Sequence, residues 1–158
     1  MMKKTMTVVT ALALLLIGAT ALAAVPQLDD GLFLSARKAM GCLSSAEYER
    51  VVTLLPFSDV APSAAEWERF AGNFSTLDNA QTDYAVAYWT GSLWKLAVPA
   101  QNPDSGDVEV LVLSSEDGSS FTGYRYATWD QVETDLGSSD HVTWNKEYVG
   151  SAPVVVAD

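Results

Sequence analysis

Between Asp30 and Ala71 apolar residues recur every three or four positions, and from Tyr84 onward they recur every second position. The first spacing is that of a helix with one buried stripe, the second that of a strand with one buried face. Three helices are therefore expected. Phe33, Ala36 and Met40 make the stripe of the first, with Asp30 as its cap and Gly41 at its stop. Ser44-Ser45-Ala46-Glu47 reads as a capping box opening a second helix, whose stripe is Tyr48, Val51, Val52 and Leu55 and whose end is Pro56. A second box, Ser63-Ala64-Ala65-Glu66, opens a third helix with Trp67, Phe70 and Ala71 inward and Gly72-Asn73 closing it.

The period changes at Thr82. Tyr84, Val86 and Tyr88 alternate with Ala85, Ala87 and Trp89, and Gly91-Ser92 separates this run from Leu93–Val98. Two such residues between alternating runs predict a hairpin with Trp89 opposite Trp94 and Ala87 opposite Leu96. Pro99–Gly106 reads as a polar loop before Val108–Leu113. Asp117-Gly118 marks a second hairpin with Phe121–Ala127 returning. Thr128 then caps a short helix carrying Trp129, Val132 and Leu136, stopped by Gly137. Val142, Trp144 and Tyr148 alternate in a fifth strand, and Pro153–Ala157 is an edge strand or a tail. The expected class is α+β: N-terminal helices packed on a four- to five-stranded antiparallel sheet, with one late short helix.

The N-terminus has another character. Lys3 and Lys4 precede an apolar run from Val8 to Ile17, and Ala21-Leu22-Ala23 offers small residues for cleavage. This is the layout of a secretory signal peptide over residues 1–23, with one globular domain over 24–158 and an exported, periplasmic or secreted product. Ala24-Val25-Pro26-Gln27 reads as a flexible lead. Cleavage after Ala23 leaves 135 of the 158 residues, with seven basic against twenty acidic side chains and a net charge of −13. Such a field disfavours nucleic acid and anionic lipid surfaces, which require clustered Lys and Arg, and would speed encounters with a basic protein partner.

Candidate chemistry is sparse. Cys42 and His141 are the only cysteine and the only histidine, so a thiol–imidazole catalytic pair must be these two. Between a helix stop and a capping box, Cys42 also suits a small buried side chain. No Gly-x-Ser-x-Gly elbow and no phosphate-binding glycine loop is present. One His and one Cys are too few for the usual zinc sets. Asp104, Asp107 and Glu109 bracket a tight loop and are oxygen donors of the kind calcium takes, in a spacing that matches no established calcium loop. No cofactor is expected.

The aromatic residues say more. Tyr84 and Tyr88 share one face of a strand, and Tyr124 and Tyr126 share a face of another. An open tyrosine row is a recognition surface; a helix or the chain end lying over the face would make it ordinary core. If Trp89, Trp94 and Leu96 face the core, Tyr88 lies opposite, and Trp94→Ala should cost far more stability than Tyr88→Ala. Thr128-x-x-Gln131-Val132 followed by Leu136-Gly137 resembles the helix of small exported modules in the outer-membrane assembly lipoprotein and β-lactamase-inhibitor-like families. In those modules the helix precedes the sheet, whereas here it follows two hairpins. The resemblance implies a binding module and nothing finer. The expected function is an exported acidic binding or inhibitory module recognising a protein partner. The alternatives are a small hydrolase using Cys42 with His141, or an envelope component without chemistry.

Overall fold

A computed structural model describes residues 24–79 and 84–144. The expected signal segment, Tyr148 and Pro153–Ala157 lie outside these residues. Three helices come first: α1 (Gly31–Ser44), α2 (Tyr48–Leu54) and α3 (Ala64–Ala71). Five strands follow: β1 (Val86–Trp89), β2 (Trp94–Gln101), β3 (Val108–Ser115), β4 (Gly123–Thr128) and β5 (Val142–Trp144), with α4 (Trp129–Gly137) before the last. They form one antiparallel sheet in the order β4-β3-β2-β1-β5. The fold is α+β, as the pattern of periods requires.

The first hairpin has the expected register, with Trp89 opposite Trp94 and Ala87 opposite Leu96. Gly91 sits at φ +94°, a conformation open to glycine, and Thr90 N–H donates to the Leu93 carbonyl at 3.0 Å across the turn. That register fixes the two faces of the sheet. Ala85, Ala87, Leu96, Val98, Leu111 and Leu113 meet the buried stripes of α1–α3 in the larger core, which also holds Met40, Val51, Trp67 and Phe121. On the opposite face Tyr84, Val86, Tyr88, Ala97, Val110 and Val112 meet Trp129 and Val132 of α4. The sheet is thus covered on both sides.

Local expectations were met unevenly. The Ser63 box forms in full: Ser63 N–H donates to Glu66 Oε2 at 2.7 Å, and Glu66 N–H donates back to Ser63 Oγ at 3.4 Å. The Ser44 box does not. α1 continues past Gly41 to Ser44 because Cys42 and Leu43 are also buried, and the Ser44 hydroxyl donates to the Leu77 carbonyl instead. Ala46 takes φ +56° in the tight passage to α2. At the start of α1 it is Asp29, not Asp30, whose carboxylate accepts from Gly31 N–H, at 2.8 Å. β2 runs on through Pro99 to Gln101, so the polar loop is shorter than Pro99–Gly106. Ahead of α4, Thr128 N–H donates to Gln131 Oε1 at 3.2 Å. No described helix is long and apolar enough to cross a membrane.

Candidate functional site

The four tyrosines fall on two faces, and none stands open. Tyr84 and Tyr88 lie on the α4 side, 4% and 0% exposed. Tyr124 and Tyr126 lie half-buried on the α1–α3 side. The cause is the second cover: α4 folds back over this face of the sheet, and the Trp144 ring of β5 lies tilted with its centre 5.9 Å from that of Tyr84. Tyr124 is held within 5.0 Å of Phe70 and 4.5 Å of Trp67, ring centre to ring centre. The expected open row is therefore core on both faces.

Tyr88 also belongs to a polar seam that the sequence did not disclose. Its hydroxyl donates to Asp135 Oδ2 at 3.1 Å, Arg125 donates to the same oxygen at 3.4 Å, and Lys95 Nζ lies 3.8 Å from it. Lys95 is opposite Tyr88 across β1–β2, while Asp135 arrives from the last turn of α4. Burial, then the adjacent Asp135 charge, push the Tyr88 phenol well above its ordinary range, so it remains a donor. The seam locks α4 to the sheet. Alternation along β1 could have placed Tyr88 beside Lys95, but no local signal pointed to Asp135.

The loop acids do not converge. Asp107 Oδ2 accepts from the Ser105 hydroxyl at 2.7 Å. Glu109 points the other way, into the α1–α3 side of the sheet. Its Oε2 accepts from Ser75 N–H at 2.7 Å and from Thr76 N–H and hydroxyl at 2.8 Å; its Oε1 accepts from Tyr126 at 2.8 Å. Burial pushes this carboxyl up, yet the four donors together hold it below the ordinary Glu range. Glu109 is a tie between β3, β4 and the segment after α3. Among the described residues no group of three or more His, Cys, Asp or Glu is placed to hold a metal ion.

Cys42 and His141 are also apart in their surroundings. Cys42 is a free thiol buried in α1 within the larger core, and burial pushes its thiol up, with the Arg50 charge opposing. His141 is exposed at the entrance to β5, its carbonyl accepting from Trp89 N–H at 3.0 Å. No hydrogen bond joins the two among the described residues.

An open groove lies beside the first hairpin. About 850 Å³ in volume, it is lined by Val25–Asp30 and by Trp94, His141 and Thr143. The segment read as a flexible lead is its wall. Trp94 Nε1–H donates to the Pro26 carbonyl at 2.8 Å, Asp29 N–H donates to the Gly118 carbonyl at 2.8 Å, and Val25 and Leu28 pack on the core. Gly118 is required twice over: its φ is +77°, and a Cβ there would collide with the Gln27 carbonyl. The ionisable side chains at the groove are Asp29, Asp30 and His141, with no Lys or Arg among the lining residues. Such a volume suits a small ligand or a few side chains of a partner, and carboxylates beside an indole favour a cation. No protein-family model matches this chain, and neither curated proteins nor solved structures gave a match.

Proposed function

We propose that the chain acts as an exported acidic binding or inhibitory module that recognises a basic protein partner, a basic segment of which sits in the groove along Val25–Asp30. The observation that supports this reading is the groove itself: about 850 Å³, with Asp29, Asp30 and Trp94 among its lining residues. Its wall is tied down by hydrogen bonds to Trp94 and Gly118, so little ordering is needed when a ligand enters. The net charge, −11 for the whole chain and −13 once residues 1–23 are removed, extends the attraction beyond the groove and speeds encounter with a basic surface.

The test is titration of the purified protein with a Lys-rich peptide, followed by tryptophan emission, beside a neutral peptide of the same length. The Lys-rich peptide should bind and the neutral one should not, and affinity should fall by about tenfold or more between low and high salt. Asp29→Asn with Asp30→Asn should weaken binding while retaining the fold, since the amide oxygen that replaces the Asp29 carboxylate can still accept from Gly31 N–H. Equal affinity for both peptides, or affinity unchanged in the double variant, defeats the reading.

A further inference from the structure

The chain's single histidine, His141, is one of only three ionisable side chains among the residues that line the groove. Its main chain is fixed where β5 begins. Trp89 N–H donates to the His141 carbonyl at 3.0 Å, His141 N–H donates to Ser139 Oγ at 3.3 Å, and the Ser139 hydroxyl donates to the Trp89 carbonyl at 2.8 Å. Thr143, two residues on, pairs with Ala87 of the α1–α3 core and also lines the groove. Trp144 lies against Tyr84 on the α4 side. Side chains two apart along a strand share a face, so His141 stands with Thr143 on the groove side.

The charged groups around His141 are few among the described residues. The N-terminal segment brings Asp29 and Asp30 to the groove, and Asp140 precedes His141 in the chain. β1 and β2 bring the rings of Trp89 and Trp94, which carry no charge. Lys95 of β2 points to the opposite face, toward Asp135. In a chain cleaved after Ala23, the new α-ammonium stands one residue before Val25 and is charged from neutral pH downward, so it adds a constant. A neutral imidazole leaves the two carboxylates to set the charge of the groove, whereas an imidazolium offsets one of them. Imidazole is the side chain that ordinarily changes charge between about pH 5 and 8, a range in which Lys and Arg of a partner keep theirs. We propose that His141 regulates the groove: mild acid turns it into a cation in the same groove as Asp29 and Asp30, so that a basic segment captured at neutral pH is released below about pH 6. This inference rests on the groove being the site for the basic partner.

The test repeats the Lys-rich peptide titration at about pH 7 and about pH 5, at constant low ionic strength, with affinity read from the midpoint of each isotherm. The wild-type affinity should fall about three- to tenfold on acidification, as one of two attracting charges is offset. His141→Gln should give the same affinity at both pH values. His141→Arg should also be flat, and weaker than His141→Gln throughout. Both variants keep the main-chain hydrogen bonds at an exposed position, so their denaturation midpoints should match wild type at each pH. A wild-type affinity that does not fall overturns the inference. So does an equal fall in His141→Gln, which would assign the pH response to the carboxylates. In either case binding at pH 7 that is weakened by Asp29→Asn with Asp30→Asn leaves the groove reading standing. Absence of binding at pH 7 overturns both.

Discussion

Along β2, Leu96 and Val98 point toward three helices, while Lys95 and Ala97 point toward one. The neighbouring strands repeat the alternation. On the α1–α3 side the cover is broad and aromatic: Trp67 has Tyr124 at 4.5 Å, Phe70 at 5.6 Å and Phe57 at 6.3 Å between ring centres. On the α4 side a nine-residue helix supplies Trp129 and Val132, and its far end is fixed by Asp135 on Tyr88, Arg125 and Lys95. One face is held chiefly by burial, with a buried carboxylate tie at Glu109. The other combines a smaller apolar area with a shared charge. Position on the sheet decides which side a residue faces, but the covering elements decide how much it contributes.

Trp67→Ala should have the largest effect. The side chain is fully buried among three rings, and its loss should cost about 4–5 kcal/mol, most of the stability of a marginal domain. Its indole N–H has no hydrogen-bond partner among the described residues, so Trp67→Phe should cost much less, about 1–2 kcal/mol. Chemical denaturation of both variants checks this. Equal losses would mean that the indole N–H, and not ring burial, holds the site.

Tyr88→Ala comes next, at about 3–4 kcal/mol, because the ring is fully buried under α4. The sequence expectation that Trp94→Ala is far more damaging than Tyr88→Ala is therefore replaced by near parity. Trp94 is 5% exposed and Tyr88 is 0% exposed. Denaturation midpoints of the two variants, compared at equal slope, decide between the two orderings.

Glu109→Gln probes the buried carboxylate tie of the broader face. An amide can accept on only one side and brings its own N–H toward Ser75, Thr76 or Tyr126, so the loss at neutral pH should be about 2 kcal/mol. The folded-state carboxyl is held below the ordinary value of 4.5, so its contribution is complete above that value. It is lost as pH falls through the ordinary value toward the lower folded one. Wild type and Glu109→Gln should converge in stability on acidification. A gap that stays constant with pH would remove the charged form of Glu109 from the account.

The sequence made these faces legible but not their covers. Period-2 alternation put Tyr84 and Tyr88 opposite Trp89 and Trp94, and Gly91-Ser92 set the register, because both depend on neighbours within a few residues. The covering of Tyr88 depends on α4 returning across that face of the sheet, a long-range event without a local signal. The two Ser-x-x-Glu boxes make the same point. Ser63 caps α3, whereas Ser44 lies within α1 and bonds to Leu77, 33 residues away in the chain. Glu109 alternates with Leu111 and Leu113 and shares their burial, but its donors come from Ser75 and Thr76, more than thirty residues away, which no local pattern discloses. The groove was hidden because Ala24–Gln27 carries no period; its order comes from the Trp94 indole and the Gly118 carbonyl.

The smallest expected effect sharpens the contrast most. Tyr88→Phe keeps the buried ring and removes only the hydroxyl that donates to Asp135 at 3.1 Å. The carboxylate retains Arg125 at 3.4 Å and Lys95 at 3.8 Å, so no charge is stranded and the cost should be about 1 kcal/mol. Asp135→Asn should cost about as much by a different route, since it weakens two partly exposed ion pairs that water and salt already screen. Raising the salt concentration should therefore shrink the Asp135→Asn loss and leave that of Tyr88→Phe nearly unchanged. Both are measured by denaturation at low and high salt. If Tyr88→Phe proves as costly as Tyr88→Ala, the hydroxyl and not the ring secures α4, and the far face is held by its polar seam with burial in the secondary role.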